Sequence, residues 1–182
     1  MKIKFTIVMV SLLILPSYAN AADANTDRNA ALINSFQVLC TLESPSFDRI
    51  DQKAAAMKIP VHKDVGQSQI SGYFAHSKSW LVPLKTGPHE LVATEANGPK
   101  GHIEACGISA PDPDGGSFIK ELIEEMHLGL PASQIVSADG MMRTTTWKNT
   151  FGEGTELRLV DATPKERPGA MLFYDVTTPT TP

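Results

Sequence analysis

The sequence has few of the residues from which specific chemical sites are built. It contains 2 cysteines and 5 histidines in 182 residues, without a Cys-x-x-Cys pair and without a second histidine after His89-Glu90 at zinc-protease spacing. The first absence argues against a thiol redox enzyme, and the second argues against the common zinc proteases. No Gly-x-Ser-x-Gly motif is present either. We therefore expect a non-enzymatic protein with no metal and no cofactor.

Basic residues are also not clustered anywhere along the chain. There are 16 Lys and Arg against 20 Asp and Glu, which gives a net charge of −4. Nucleic acids and anionic membranes select clustered positive charge, so neither is an expected partner. The apolar run Phe5–Leu15 is shorter than the about 20 residues that a membrane-spanning helix needs. We expect no membrane anchor in the mature chain.

The first 21 residues have the pattern of a secretory signal peptide. Lys2 and Lys4 precede the apolar run, Pro16 interrupts it, and Ala19-Asn20-Ala21 has the small-x-small pattern that signal peptidase cleaves. The sequence therefore predicts cleavage after Ala21 and a periplasmic or secreted protein. Residues 22–177 are expected to form a single domain, and residues 178–182 are expected to be a disordered tail.

Both cysteines, Cys40 and Cys106, lie in the predicted mature chain. An even number of cysteines in an oxidising compartment favours a disulfide. In the chain-entropy treatment, a bridge closing so long a loop stabilises the fold by about 4 kcal/mol. We predict one Cys40–Cys106 bridge that ties a helix to the sheet.

Three segments carry apolar residues at helical spacing. The first helix is expected to be capped by Asn25 or Thr26, the second to start at Pro45 and end before Pro60, and the third to start at Ser117. Gly129 is predicted to provide a left-handed end to the third helix. The apolar faces are Leu32, Phe36, Leu39 and Cys40, then Phe47, Ile50, Ala54 and Met57, then Ile119, Leu122, Ile123 and Met126.

From Tyr73 onward the pattern changes to that of strands. Residues 61–72 mix charge, glycine and serine without a period and are predicted to be a mobile loop. The predicted strands are 79–84, 89–96, 102–109, 142–148, 155–161 and 170–177, with a further one possible at 134–137. These segments predict an α+β fold: an antiparallel sheet of about five to six strands with two or three helices packed on one face.

Two sets of side chains are candidates for a site. His89 and His102 flank the predicted Asn97–Gly101 turn, so with Glu104 they could form a polar cluster across the hairpin. The strand aromatics are expected in the core, with the hydroxyl end of Tyr174 in solvent, although one of them could form a contact surface. These aromatics are Trp80, Trp147, Phe173 and Tyr174.

The leading functional hypothesis is an envelope protein that binds another protein or a small ligand, as an inhibitor or immunity-type module does. The first alternative is a cofactor-independent envelope hydrolase that uses the His89, His102 and Glu104 cluster. The second is an accessory subunit of an envelope complex. The sequence does not define the oligomeric state.

Overall fold

The computed structural model describes residues 21–70, 72–84, 86–110, 115–163 and 169–179. Within these ranges, three α-helices are present: α1 (Ala21–Phe36), α2 (Phe47–Ala56) and α3 (Gly115–Glu125). A π-helical turn, Gln37–Thr41, continues α1 directly. Residues 1–20 of the predicted signal peptide lie outside the described residues, so its cleavage stays a prediction.

The strands form one antiparallel sheet in the order β1-β2-β3-β4-β8-β7-β6-β5. The α+β class is confirmed, but the described residues contain eight strands rather than five to six. The bounds are β1 (Val61–Ile70), β2 (Tyr73–Leu84), β3 (Gly87–Gly98), β4 (Gly101–Ala110), β5 (Ser133–Val136), β6 (Met142–Lys148), β7 (Thr155–Ala162) and β8 (Ala170–Thr178).

The sheet consists of two halves, and in each half the four strands follow one another in chain order from the edge of the sheet to its centre. Each half of the chain is helical first and then forms a four-stranded meander, and the last strands of the two meanders, β4 and β8, pair at the centre with Cys106 opposite Tyr174. Consecutive strands in each meander pair directly, as short antiparallel connections allow. The chain is therefore two similar units joined in one sheet.

The predicted mobile loop at residues 61–72 is wrong, because Val61–Ile70 forms β1. This segment has no alternation of apolar and polar residues, since most of its side chains are exposed at the sheet edge. Hydrogen bonding to β2 holds the strand in place instead of burial, with register irregularities after Val61 and after Val65. The predicted tail, residues 178–182, begins one residue too early, because Thr178 is the last residue of β8. Residues 180–182 lie outside the described residues, so disorder of the tail stays a prediction.

The core lies between the helices and one face of the sheet. Three contacts join the helices to the sheet: Asp51 of α2 bonds Lys78, Phe47 contacts His76, and Cys40 forms a disulfide with Cys106. The sheet residues Lys78, His76 and Cys106 lie on the same face of the sheet as the buried Trp80. The predicted disulfide is confirmed, with a Cα–Cα distance of 5.4 Å. Other core residues include Leu32, Ile33, Phe36, Leu39, Ile50, Leu91, Ile108, Phe118, Leu122, Trp147, Leu157, Leu159 and Leu172.

Two helices end in the same way, and neither end uses a glycine. After α3, His127 adopts a φ of 52°, and Leu128 N donates to Ile123 O over 2.9 Å. After α2, Lys58 adopts a φ of 56°. The prediction that Gly129 takes the left-handed position is wrong by two residues, because the helix ends earlier. Met57, which was predicted to face inward, follows the last residue of α2 and is 59% exposed.

Candidate binding face

The predicted cluster of His89, His102 and Glu104 does not assemble. A hairpin pairs residues at equal distances from its turn, so His102 lies opposite Asn97, at the turn end of β3. His89 lies eight residues earlier in β3, which places it about 27 Å away along the strand. His89 is buried and its Nδ1 bonds Gly87 O at 2.9 Å, whereas His102 Nδ1 bonds Asn97 Oδ1 at 2.9 Å.

Glu104 has a structural partner on the helical side of the sheet. Its Oε1 accepts a hydrogen bond from the backbone N–H of Phe47, the first residue of α2, at 3.3 Å. The N-cap residue, Ser46, makes no side-chain capping bond. A carboxylate at a helix N-terminus satisfies a free donor and interacts favourably with the helix dipole. Glu104 therefore caps α2 from the sheet.

A different histidine lies between two carboxylates. His76 Nε2 is 3.1 Å from Asp64 Oδ1, and His76 Nδ1 is 3.6 Å from Glu95 Oε1. The carboxylates contact opposite nitrogens of one ring, so a metal ion could not bind the ring together with both. The adjacent hydroxyls, Ser77 and Thr94, bond each other at 2.9 Å on the other face of the sheet. Sequence reasoning missed this group because Asp64 was placed in a loop.

Across the described part of the chain, no group of three or more His, Cys, Asp or Glu residues has the arrangement of a metal site. A hydrolase would need a nucleophile beside His76. Ser77 and Thr94 do not supply it, because their hydroxyls lie on the other face of the sheet. On the helical side of the sheet, His76, Lys78 and Glu104 thus each have a structural partner.

The face of the sheet opposite the helices is not packed against any described helix, and we call it the open face. The strand registers place one residue of each strand in a continuous row across it. A positively charged side chain lies on each side of an apolar centre in this row. From β1 to β5 in spatial order, the row is Lys63, Ser79, Val92, Gly107, Phe173, Arg158, Thr146 and Ser133.

Phe173 lies at the centre of the open face, and Gly107 makes room for its ring. A Cβ atom on Gly107 would lie 2.6 Å from the Cδ1 of Phe173, so the ring covers the glycine closely. The guanidinium of Arg158 lies 5.3 Å from the ring centroid, within the range of a cation–π contact. Phe173 was predicted to be in the core, and this is wrong because the strand alternation turns it away from the helices.

The other three strand aromatics lie in the core as predicted. Trp80, Trp147 and Tyr174 are each at least 96% buried, and Trp147 Nε1 donates to Gly129 O over 3.0 Å. Tyr174 does not extend its hydroxyl end into solvent as predicted. Burial raises the pKa of its phenol, and its ring contacts Phe151 edge to face.

Arg158 also forms an ion pair with Asp175 on the open face. Arg158 Nε donates to Asp175 Oδ2 at 2.5 Å, and the side chain of Asp175 is only 9% exposed. Burial raises the pKa of the Asp175 carboxyl, and the charge of Arg158 opposes that shift. The other oxygen, Oδ1, has no hydrogen-bond partner among the described residues. A buried charged acceptor without a donor is costly, which is consistent with the raised pKa of this carboxyl.

A shallow pocket of about 150 Å³ lies at the β1 end of the open face, lined in part by Lys63, Glu90 and Val92. Small-molecule sites are usually about 300–1,000 Å³. The pocket is thus too small to enclose a typical ligand, and it is one indentation in a broader surface.

Comparisons with protein-family models, with curated proteins and with solved structures find no match for this chain. None of the helices in the described residues combines the length and apolar character needed to cross a membrane.

Proposed function

We propose that this protein is an exported module of the cell envelope that binds another protein on the open face of its sheet, as an inhibitor or immunity-type protein does. The observation that carries the proposal is the Phe173–Arg158–Asp175 group at the centre of a sheet face that no described helix covers. The Cys40–Cys106 disulfide is compatible with an oxidising compartment.

The dimensions of the open face favour a protein partner over a small ligand. Eight strands spaced about 4.8 Å apart span about 34 Å, and about seven residues per strand give a length of about 24 Å. The resulting area of about 800 Å² matches the about 800 Å² that each partner contributes to a standard interface. The small pocket near Lys63 occupies only one end of this area.

The side chains at its centre are of the types that dominate binding energies. Aromatic residues and arginine are enriched among interface hot spots, which lie near the middle of the contact area. Phe173 and Arg158 are central in the row, and the partly exposed Met171 and Val160 pair beside them.

The hydrolase alternative has lost its stated basis, since the His89, His102 and Glu104 cluster does not assemble. An accessory subunit would use the open face in the same way as an inhibitor. The two are distinguished by the effect on the partner: an inhibitor abolishes the partner's activity, and an accessory subunit does not.

Two phenylalanines allow a matched test of the open face. Phe173 lies on it, whereas Phe74 is 60% exposed on the helical side of β2. A tagged mature protein is used to isolate a stoichiometric partner from envelope extract, and the dissociation constant is then measured for wild type, Phe173→Ala and Phe74→Ala. We expect Phe173→Ala to weaken binding by about 30-fold, the loss of one hot spot of about 2 kcal/mol, and Phe74→Ala to leave it unchanged.

Both variants must keep the wild-type circular dichroism spectrum, which the partial exposure of both rings favours. Equal affinities for wild type and Phe173→Ala would contradict the proposed surface. Loss of affinity in Phe74→Ala alone would place the interface on the helical side instead.

A further inference from the structure

The pairing of β1 with β2 contains a bulge opposite His76. Gly66 and Gln67 of β1 both lie opposite this one residue of β2. A bulge leaves one residue unpaired and disrupts the hydrogen-bonded ladder locally. Most β1 side chains are exposed, so burial adds little to hold the strand there. The attachment of β1 near the bulge therefore depends on side-chain contacts with its neighbours.

The side chain of His76 supplies such a contact. Its Nε2 lies 3.1 Å from Oδ1 of Asp64, which stands on β1 just before the bulge. Its Nδ1 lies 3.6 Å from Oε1 of Glu95 on β3. The ring of Phe47, the first residue of α2, lies 4.3 Å away between centroids. The imidazole therefore connects β1 to β3 and to α2, and with 27% of the side chain exposed it can exchange protons with solvent.

Only the charged form of this ring presents a donor to both carboxylates. A neutral imidazole carries one N–H, so its other nitrogen directs a lone pair toward a carboxylate oxygen. The imidazolium carries an N–H on each nitrogen and a positive charge. Histidine is the side chain that ordinarily changes charge between about pH 5 and 8. Acidification within this range therefore adds a donor and an attractive charge at the point where β1 meets β2.

The other charged and titratable groups around His76 are mostly acidic. Besides the two carboxylates that it contacts, they are Lys78 on β2, Glu104 on β4, Asp48 and Asp51 on α2, and His62 on β1. Lys78 donates to Asp51 at 2.7 Å, so its charge is compensated. Glu104 lies directly opposite Glu95 in the strand register, and like charges in such a pair repel. A positive charge on His76, which lies opposite Glu95 on the other side, offsets this repulsion.

We propose that His76 makes the attachment of β1 dependent on pH. The protonated ring holds β1 against the sheet, and as the pH rises the neutral ring lets the β1–β2 pairing open around the bulge more often. Lys63 and Val65 of β1 form one end of the open face, so the pH of the medium controls how well that end is ordered. This inference does not depend on the proposed function.

Amide hydrogen exchange followed by NMR measures how often β1 opens. Exchange is recorded at about pH 5.5 and about pH 7.5, on either side of the ordinary titration of histidine, and corrected for the intrinsic pH dependence of amide exchange. We expect the protection of the amides of residues 63–68 to be about fivefold higher at the lower pH, the effect of a partly exposed ion pair. The amides of β5, at the opposite edge of the sheet, serve as the reference and should not change.

Three variants assign the effect to this contact. His76→Gln and Asp64→Asn each remove one of its partners, and both should abolish the pH dependence. The Asp64 side chain is 51% exposed, so Asp64→Asn is expected to fold even where His76→Gln does not. His62→Gln removes the other histidine of β1 and should keep the wild-type behaviour. Equal wild-type protection at both pH values, lower protection at the lower pH, a pH dependence that persists in either His76→Gln or Asp64→Asn, or its loss in His62→Gln would overturn the proposal.

Discussion

Replacement of Trp147 by alanine tests whether the core is built as described. The side chain is 3% exposed, its strand neighbour Leu157 is fully buried, and its Nε1 donates to Gly129 O. A buried aromatic side chain removes about 150–250 Å² from water, which at about 25 cal/mol per Å² gives an upper value of about 4–6 kcal/mol. Measured truncations of this type cost about 3–5 kcal/mol. We expect about 4 kcal/mol for Trp147→Ala.

For a domain of this size, 1 kcal/mol corresponds to about 2–4 °C in Tm, so the variant should melt about 8–16 °C below wild type. Trp147→Phe is the control: it retains a ring but loses the hydrogen bond to Gly129, and we expect a loss of about 1–2 kcal/mol. Calorimetry measures both. A Tm of Trp147→Ala within about 2 °C of wild type, together with loss of partner binding, would show that Trp147 is a contact residue and refute the packing argument.

Three further perturbations test the disulfide, a helix end and a buried carboxyl. Cys106→Ser should lower the free energy of unfolding by about 4 kcal/mol in urea titrations, and an unchanged value would mean that the bridge contributes nothing. His127→Gly should raise it by about 0.5–1 kcal/mol, because glycine adopts positive φ without strain, and a decrease would contradict the left-handed helix end. The raised pKa of Asp175 means that the folded state binds its proton more readily, so this group adds stability as the pH falls toward 3.8. As the pH is lowered toward 3.8, the free energy of unfolding of Asp175→Asn should therefore fall more steeply than that of wild type. Urea unfolding at several pH values measures this, and the same pH dependence in both proteins would contradict the raised pKa.

The parts of the fold with strong local patterns could be predicted from the sequence. The third helix follows from Leu122 and its neighbours at helical spacing, and the β3–β4 hairpin follows from two runs of β-forming residues around Gly98 and Gly101. The disulfide was predicted from the even number of cysteines together with the expected export of the chain. In each case the local signal and the final packing agree.

The strand β1 could not be predicted because burial leaves no pattern in it. Its side chains are mostly exposed and its register is irregular, so neither alternation nor a turn signal marks it. The same failure hid the His76 group, since Asp64 reaches His76 only through the pairing of β1 with β2. A search for hydrophobic periodicity does not detect an edge strand that is held mainly by backbone hydrogen bonds.

The open face depended on registers between distant segments. Phe173 lies over Gly107 because β8 pairs with β4, and it lies beside Arg158 because β8 pairs with β7. Local alternation indicates that Phe173 and Tyr174 point to opposite faces, but it does not show which face the helices cover. The sequence therefore identified the aromatics as candidates without selecting the one on the surface.

Site-specific photocrosslinking in cells tests the central claim, that the open face binds a protein partner. A benzophenone side chain is placed at Val160 on the open face and, as the control, at Met57 at the end of α2, where the side chain is 59% exposed. The account predicts one discrete crosslinked partner from position 160 that is lost when Phe173→Ala is added, and no such product from position 57. A discrete partner at position 57 with none at position 160 would contradict it.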